Sequence, residues 1–378
     1  MPYTLETLRL CGFRSYKDAF VEFDPTLTIL FGPNAAGKTN IVEALHLLTA
    51  GESFRKPLRQ DLIHYECDQA RVSLRAVDNS LKRDVELLVT ESGRTTFVNE
   101  KKVRSSYEIS SALPCVVFTP DDLRIVKESS SRRRQEIDAL GSQLSATYAK
   151  LVSEYKKIIT QRNRLLKDEQ YGTEVFSAWD ERMIEVGVAL AAKRSSLFGH
   201  LSPHVHNYYA GLLDKEQKNQ TLSLHYDSSW GKERDKQSFR ATLDARAEDE
   251  KARKQSLVGP HRDDLVFEIE GKVARSFASQ GQQRSIALAW KLAQLSIVEE
   301  FTQARPLLLL DDVMSELDQT RRHYLAGLVG ETAQTVITTA HIDYFDKKLI
   351  ERAKTIFIPD DIVRVDSLKQ EKENSYEL

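Results

Sequence analysis

The sequence is poor in cysteine, has almost no net charge and has no long apolar run. Its three cysteines, Cys11, Cys67 and Cys115, are widely separated and form neither a zinc-ligand spacing nor a disulfide framework, as in proteins of a reducing cytosol. A formal net charge of −2 excludes a bulk polycation, so any nucleic-acid surface must be a local patch. No stretch reaches the ~18 apolar residues of a membrane span. The first ten residues lack the basic start and apolar core of a signal peptide. We therefore expect a cytoplasmic protein without a membrane partner.

The order of strand-like and helix-like segments indicates a split domain. With 41% hydrophobic and 29% charged residues, the 378-residue chain has enough material for about two to three domains. Residues 1–125 are rich in strand signals, 126–257 are helical and highly charged, and strands return in 258–366. We expect an α/β fold in which residues 1–125 and 258–366 form one head and residues 126–257 form a smaller helical lobe. Residues 367–378 are polar and are expected to form a frayed tail.

Local patterns predict the elements of these regions. β-Branched and aromatic runs predict strands at 18–24, 27–32, 70–77, 82–89, 95–103, 113–120, 221–226, 265–271, 272–279, 306–312 and 335–341. Apolar residues at helical spacing predict helices at 38–51, 132–167, 175–213, 239–254 and 280–301. The last of these follows "FASQGQQRS" (277–285). Gly281 between glutamines there indicates a helix N-terminus that can meet an anion.

A phosphate-binding loop is the strongest motif. "FGPNAAGKTN" contains G-x-x-x-x-G-K-T between a predicted strand and a predicted helix, which is the context that this motif requires. The glycines let successive N–H groups curl around phosphate oxygens. Lys38 is expected to reach the β- and γ-phosphates, and the Thr39 hydroxyl to bind Mg²⁺. The predicted ATP-binding residues are Gly32, Pro33, Asn34, Ala35, Ala36, Gly37, Lys38 and Thr39.

A pair of carboxylates completes the candidate site. In "PLLLLDDVMSELD" four leucines predict a buried strand, and Asp311 and Asp312 stand at its C-terminal end. In open α/β sheets ligands gather at that edge. Asp311 is the candidate for holding Mg²⁺ through water, and Asp312 for orienting the attacking water. Two aspartates are also common at strand ends for purely structural reasons, so the pair gains its meaning from the phosphate loop.

The spacing of these motifs selects a class of ATPase. The loop and the carboxylates are about 270 residues apart, whereas kinases and small GTPases usually keep them within one domain. The order of motifs resembles the ABC-type ATPases. In this order, "SQGQQ" corresponds to the ABC signature, with Ser279, Gly281 and Gln282. "SELD" corresponds to a loop that crosses the dimer interface. "TTAH" corresponds to the segment with the switch histidine, His341. The resemblance implies that the signature serves the ATP of the other subunit.

Within that class the chain resembles the RecF family of bacterial recombinational-repair ATPases over nearly its whole length. The resemblance is carried by "GFRSY", "GPNAAGKTNIVEAL", "VVFTPDDLRIVKESSSRRRQEID", "QRNRLLK", "GPHRDDL", "SQGQQRS" and "LLLDDVMSELD". It implies an ABC-type head with a short helical second lobe, ATP and Mg²⁺ as cofactors, and an ATP-dependent homodimer that binds gapped DNA. It also implies slow ATP hydrolysis, DNA-stimulated, and partnership with RecR in loading recombinase.

Two features depart from the general ABC pattern. Asp312 stands where most of these enzymes have glutamate, so the identity and strength of the catalytic base stay open. No glutamine, among them Gln60, Gln69 and Gln135, can be assigned to the loop that usually senses Mg²⁺. The catalytic residues that the resemblance implies are thus Lys38, Asp312 and His341.

Two basic clusters are candidates for DNA contacts. Arg132, Arg133 and Arg134 form the densest one, and Arg55 and Lys56, with Arg59 nearby, form another beside the phosphate loop. Such side chains can neutralise DNA phosphates. The alternative for either cluster is a solvated helix face or a set of internal ion pairs.

Three other functions use some of the same motifs. The nucleotide-binding subunit of a transporter shares the ATP site, but the charged helical middle offers no evident apolar face for a membrane partner. A metabolic P-loop kinase needs neither the signature nor a dimer. An SMC-related nuclease needs a further carboxylate-rich metal domain, for which the chain has no room. The sequence favours a DNA-dependent ATPase.

Overall fold

A computed structural model describes residues 4–78, 81–110, 113–167, 173–213, 220–331, 333–358 and 360. The chain forms two compact units. Unit 1 consists of Met1–Asp122 and Gln294–Leu378, and unit 2 of Leu123–Ala293. Unit 2 includes residues 258–293, which the sequence pattern places in the head. The predicted division into a head (1–125 and 258–366) and a helical lobe (126–257) stays a prediction. The polar tail predicted for 367–378 lies outside the described residues.

Unit 1 contains two sheets and a central helix. Its strands are β1 (Thr4–Phe13), β2 (Tyr16–Glu22), β3 (Leu27–Phe31), β4 (Gln69–Asp78), β5 (Leu81–Thr90), β6 (Arg94–Val98), β7 (Lys101–Val103), β8 (Cys115–Phe118), and, near the chain end, β12 (Leu307–Asp311), β13 (Gln334–Thr339) and β14 (Lys354–Phe357). Its helices are α1 (Lys38–Ala50), α2 (Ser106–Ser110), α10 (Gln319–Leu328) and α11 (Lys347–Arg352), with 3₁₀ turns at Arg59–Leu62, Pro120–Arg124, Val313–Glu316 and Ile342–Tyr344.

The two sheets of unit 1 differ in strand direction and in burial. Six antiparallel strands follow the order β2-β1-β4-β5-β6-β7, and five parallel strands follow the order β14-β3-β13-β12-β8. In β4 every second residue from Ala70 to Ala76 is buried, so one face of the antiparallel sheet packs on the core. All residues of β12 and β13 are buried, as expected for central strands of a parallel sheet. Ile41, Leu45 and Leu48 of α1 belong to the same core.

Unit 2 combines long helices with a small antiparallel sheet. Its helices are α3 (Ser130–Leu144), α4 (Ala146–Lys167), α5 (Thr173–Gly211), α6 (Lys236–Ala245), α7 (Ala247–Arg253) and α8 (Ala274–Phe277), and its strands are β9 (Leu222–Asp227), β10 (Asp264–Ile269) and β11 (Lys272–Val273). The sheet has the order β11-β10-β9. Helix α9 (Gln280–Thr302) begins in unit 2, and the boundary between the units falls within it.

Buried arginines hold the "GPHRDD" turn at 259–264 within unit 2. Arg194 donates to the Pro260 carbonyl at 2.7 Å and forms a bidentate pair with Asp138. Arg133 pairs with Asp264 at the end of the turn. Buried charges of this kind persist only when they are paired and hydrogen-bonded. The turn is therefore fixed by buried arginines within this unit.

Most predicted elements are confirmed, and four segments differ. The predicted strand 95–103 is a hairpin of β6 and β7, because Asn99 and Glu100 adopt positive φ angles of 46° and 66° between them. The predicted helices 132–167 and 239–254 each form two helices, with breaks at Ser145 and Arg246. The strand predicted at 272–279 is wrong beyond Val273, where α8 begins.

Two strands, β1 and β14, were not predicted. A register shift between Leu5 and Thr7 interrupts the alternation in β1. In β14 only four residues carry the strand signal. Among the described residues, no helix is long and apolar enough to span a bilayer.

Candidate nucleotide site

The loop between β3 and α1 has the sharp curvature that a phosphate-binding loop needs. Gly32 has a φ of 147°, and a Cβ there would lie 2.2 Å from the Ile358 carbonyl oxygen. Gly37, at a φ of 105°, leaves room for the Tyr16 hydroxyl, which a Cβ would approach to 2.5 Å. Pro33, Asn34 and Ala35, the tip of the loop, are exposed, and the Ala36 N–H bonds the Pro33 carbonyl. Neither glycine tolerates a side chain, so both letters of the motif have a steric cause.

The Lys38 ammonium is held over this loop. It donates to the carbonyls of Gly32 and Pro33, both at 2.7 Å. Burial lowers the pKa of Lys38, whereas the charges of Asp312 and Asp311 act in the opposite direction. The lysine thus lies within electrostatic range of the two carboxylates, and its role at the phosphates stays a prediction. The N–H groups at the start of α1 have no preceding turn to bond, so they are suited to an anion.

Asp311 lies at the end of β12, next to the central strand β13. Its Oδ1 accepts a hydrogen bond from the Thr338 hydroxyl at 2.8 Å. Burial raises the pKa of Asp311, while hydrogen bonds from the Thr338 and Thr39 side chains lower it. Because β13 also pairs with β3, the sheet brings Asp311 to the side of the phosphate loop. Sequence spacing alone could not provide this adjacency.

Asp312 follows in a left-handed conformation, with φ 52° and ψ 22°. Its N–H donates to the Thr338 hydroxyl at 2.9 Å, and its Oδ1 is buried with no hydrogen-bond partner among the described residues. Burial raises the pKa of Asp312, and the nearby Lys38 ammonium lowers it. Left-handed backbone suits aspartate better than longer acidic residues. This conformation gives a physical reason for aspartate at a place where glutamate is usual.

The site offers few protein ligands to a metal. Within the described ranges, no group of three or more histidine, cysteine or acidic side chains is arranged to hold an ion. Mg²⁺ usually takes one or two protein oxygens and completes its shell with substrate phosphates and water. Thr39 and Asp311, which share a hydrogen bond, and the unpartnered carboxylate oxygen of Asp312 fit that mode.

His341 stands just beyond β13 and is exposed. Its backbone is tied by the Thr339 hydroxyl, which accepts from the His341 N–H at 3.1 Å. Its ring lies edge-on to that of Tyr344, with centroids 5.5 Å apart. In "SELD" the Asp318 side chain accepts from the Arg321 N–H and caps α10. His341 thus lies at the C-terminal ends of the parallel strands, the same edge of the sheet as Asp311 and Asp312. Its catalytic role stays a prediction.

The signature stretch in unit 2 forms a capping box at the start of α9. The Ser279 hydroxyl accepts from the Gln282 N–H at 3.2 Å, and the Gln282 side chain accepts from the Ser279 N–H at 2.8 Å. The helix start predicted at Gln280 is confirmed. Because the Ser279 oxygen accepts, its hydroxyl proton is available to a further acceptor. Ser279 is exposed and Gly281 is half-buried, so the helix N-terminus is accessible.

Arginines of the first basic cluster are engaged inside unit 2. Arg133 is 3% exposed, forms a bidentate pair with Asp264, and donates to three backbone carbonyls. Arg134 bonds the Asp263 carbonyl, and Arg132 lies 3.3 Å from Glu136. These contacts occupy guanidinium N–H groups that would otherwise donate to a DNA phosphate. The geometry favours the alternative of internal ion pairs for Arg132 and Arg133, while Arg134 has an internal hydrogen bond, and a DNA contact of the cluster stays a prediction.

The second basic cluster lies beside the phosphate loop. Arg55 Nη1 donates to the Asn40 side chain in the first turn of α1 at 3.0 Å. Arg59 donates to the Glu91 carbonyl at 2.9 Å, and Lys56 is exposed at a φ of 49°. Of the two clusters, this one has the accessible charges.

Three residues of the site were not assigned by sequence reasoning. Tyr16 lies against Gly37, and its hydroxyl is buried without a partner among the described residues. Glu43 of α1 is fully buried and accepts two hydrogen bonds from Arg14. All three stand in "GFRSY" or "NIVEAL", two of the quoted motifs. An acidic residue among apolar helix positions is the signal that could have identified Glu43.

A phosphate loop on a parallel sheet, acidic residues at the end of a neighbouring strand and a packed antiparallel sheet define the head of an ABC-type P-loop ATPase. The RecF/RecN/SMC N terminal domain family matches residues 4–362. The DNA replication and repair protein RecF of Heliobacterium modesticaldum is 34% identical over 359 residues, covering 92% of this chain and 95% of that protein. The chain belongs to the RecF family.

Solved structures agree with this assignment. Two structures of the recombination mediator protein RecF in the RecFOR pathway, RecF-ATPrS and RecF-ATP, superpose with TM-scores of 0.84 and 0.83. They are 31% and 30% identical to this chain, and each comparison covers 91% of this chain and 94% of the other. The expected fold class and family are therefore confirmed.

Proposed function

We propose that this protein is an ATP-dependent DNA-binding ATPase of replication and recombinational repair, which dimerises on ATP at gapped DNA. The observation that carries the proposal is the link from the phosphate loop to the carboxylates. Lys38 folds over the loop, Thr39 and Thr338 both bond Asp311, and Thr338 also holds the Asp312 backbone. This arrangement supports phosphoryl transfer to water.

Each residue of the site has a part in that chemistry. The N–H groups of 34–39 and the Lys38 ammonium bind the β- and γ-phosphates. Thr39 and, through water, Asp311 would hold Mg²⁺, which would supply charge neutralisation at the phosphates. Asp312 accepts a hydrogen bond from the attacking water, and its raised pKa suits a group that takes up a proton. His341 stabilises charge at the γ-phosphate.

Relatives support the same assignment at the level of the whole chain. The named relative is a DNA replication and repair protein, and one superposed structure is RecF-ATP in the RecFOR pathway. We extend the role in DNA replication and repair and the binding of ATP to this chain. We further propose that it binds DNA, has RecR as a partner and is located in the cytoplasm. The transporter alternative is disfavoured, because the extensive identity is to repair proteins. Other SMC-like heads share the fold at 17% identity.

The proposed dimer is built on Ser279, Gly281 and Gln282. The capping box leaves the Ser279 proton free to donate, and the N-terminus of α9 favours a negative charge. We infer that this end of α9 meets the γ-phosphate bound by a second copy of the chain. ATP then joins the two copies.

A titration of labelled gapped DNA, with and without ATP, tests the proposal, and light scattering follows dimer formation in the same samples. We expect tighter DNA binding and a doubled mass only with ATP. Lys38→Ala should remove both effects, because the lost ammonium served the phosphates. Lys354→Ala, which removes a half-exposed lysine of the same unit, is the control. A Lys38→Ala protein that dimerises like the parent would refute the proposed site.

A further inference from the structure

A fully buried carboxylate lies in the wall of the phosphate-loop helix. Glu43, one turn after Thr39 in α1, has no exposed side-chain surface. Three residues from two segments of unit 1 bring donors to it. Arg14 from the β1–β2 turn makes a bidentate pair at 2.8 and 2.9 Å, the Ser53 hydroxyl donates at 2.5 Å, and Arg55 lies at 3.5 Å. Such a carboxylate requires compensation from all three.

The two arginines are held to different degrees. Arg14 is largely buried, and it also donates to the Asp61 carbonyl at 2.7 Å. Arg55 keeps 41% of its side chain exposed and has contacts to the Asn40 and Glu43 side chains and to the ring of Phe54. The chain around Arg55 is fixed, because Phe54 packs against His46 and the Arg55 N–H bonds Ser53. The backbone is therefore anchored, while the guanidinium depends on two side chains.

Arg55 is held at the N-terminal end of a helix, where the helix dipole disfavours a cation. Asn40, whose side chain accepts from the guanidinium, is the third residue of α1. Glu43 supplies one negative charge against Arg14 and Arg55 together, and the charge of Asp311 also acts on Arg55. The guanidinium still faces solvent beside the loop, because 41% of the Arg55 side chain is exposed. A cation kept at such a place is suited to a phosphate group that arrives there.

We propose that Glu43 is a positioning residue, whose buried carboxylate holds the Arg55 guanidinium beside the phosphate loop for a phosphate oxygen. The inference rests on the proposed function. The phosphate belongs either to the nucleotide or to the DNA backbone, and these share the chemistry that recognises a guanidinium. Arg14 serves as the fixed bidentate partner of Glu43.

A double-mutant cycle tests whether Glu43 acts through Arg55. Glu43→Gln keeps an acceptor for Ser53 but removes the charge, so the exposed Arg55 side chain should swing into solvent. We expect a loss of about tenfold or more, in kcat for ATP hydrolysis or in DNA affinity without nucleotide. In an Arg55→Ala background the same change should cost less than about twofold. The first readout identifies the nucleotide as the phosphate source, and the second identifies DNA.

Glu250→Gln is the matched control, because Glu250 in unit 2 is equally buried and pairs with Arg162. It should lower the melting temperature as Glu43→Gln does and leave kcat and KM unchanged. If Glu43→Gln does not fold, Glu43→Asp keeps the charge for Arg14 and withdraws the oxygen from Arg55, and an intermediate loss is expected. An equal loss in both backgrounds, or no loss beyond that of Glu250→Gln, overturns the inference. A parent protein that neither binds nor hydrolyses ATP refutes the proposed function instead, and the DNA readout still tests Glu43.

Discussion

The Thr338 hydroxyl donates to Asp311 Oδ1 at 2.8 Å and thereby joins the central strand β13 to the carboxylate at the end of β12. The Thr338 hydroxyl oxygen also accepts a hydrogen bond from the Asp312 N–H at 2.9 Å. One threonine therefore fixes both the side chain of the first aspartate and the backbone of the second. Groups that orient a metal ligand in this way commonly control its chemistry as strongly as the ligand does.

Thr338→Val removes this hydroxyl while keeping the side-chain shape. We expect kcat for ATP hydrolysis to fall by about 10–100-fold, because Asp311 loses its donor and Asp312 its alignment. Stability should fall by about 1–3 kcal/mol. Thr335→Val is the control, because Thr335 is equally buried in β13 and, among the described residues, its hydroxyl bonds loop backbone. Steady-state kinetics on both variants check the prediction, and equal losses of kcat would contradict it.

Asp312→Asn should separate stability from hydrolysis. A raised pKa means that the folded protein binds this proton more tightly than the unfolded chain does, so its contribution to stability is lost as pH rises through the raised pKa. The neutral amide avoids that loss and tolerates the left-handed backbone. We expect a melting temperature a few degrees above the parent at pH 7, and no difference near pH 3.

In the same variant, ATP should still bind and hydrolysis should stop, which traps the dimer. Thermal melts across pH, together with phosphate release, measure both effects. A variant that hydrolyses ATP like the parent would remove Asp312 from the catalytic role. A variant that is less stable than the parent at pH 7 would refute the electrostatic argument.

The sequence was most informative where the local pattern and the required conformation coincide. The phosphate loop, α1 and the buried leucine strand were predictable because Gly32, Gly37 and four consecutive leucines each have one structural explanation. The hairpin at Asn99 was missed because its turn uses two non-glycine residues at positive φ. The break at Ser145 was missed although it has a local cause: the Ser145 hydroxyl accepts from the Tyr148 N–H at 3.3 Å and caps the start of α4.

Within the site, the residue types were predictable and their partners were not. Arg133 has the same sequence context as an exposed DNA contact, and only the fold brings Asp264, 131 residues away, to its guanidinium. The link from Thr338 to Asp311 likewise depends on which strands are neighbours in the parallel sheet. Long-range pairing of this kind leaves no mark in local sequence.

Arg133→Gln and Lys56→Gln should have opposite effects. The first leaves the partly exposed carboxylate of Asp264 without its charge partner and should cost about 1–3 kcal/mol of stability. The slope of log DNA affinity against log salt should not change. Lys56→Gln should leave stability unchanged and reduce that slope by about 1, as expected for one phosphate contact. DNA titrations of both variants at several salt concentrations measure this slope. A reduced slope for a folded Arg133→Gln protein would show that Arg133 contacts DNA.

The in-trans role of the signature can be tested by mixing two inactive variants. Lys38→Ala damages the phosphate loop, and Ser279→Arg blocks the N-terminus of α9 by bulk and removes the hydroxyl of the capping box. If Ser279 serves the partner's nucleotide, a mixed dimer contains one doubly damaged site and one intact site. Random pairing makes about half of the dimers mixed, so roughly a quarter of all sites are intact in a two-fold assembly.

Hydrolysis or ATP-driven dimerisation should therefore partly recover on mixing. If Ser279 served the ATP of its own subunit, every site would carry a lesion and mixing would rescue nothing. Lys38→Ala mixed with Asp312→Asn is the matched control for hydrolysis, because both lesions belong to the same subunit's half of a site and no intact site can form. Dimer formation is compared only in the test mixture, because Asp312→Asn is expected to dimerise on its own. Light scattering of the test mixture covers the case in which both sites must act together for hydrolysis, since one intact site suffices to hold two copies. Recovery of hydrolysis in the control mixture, or no recovery in the test mixture by either measurement, refutes the in-trans role of Ser279.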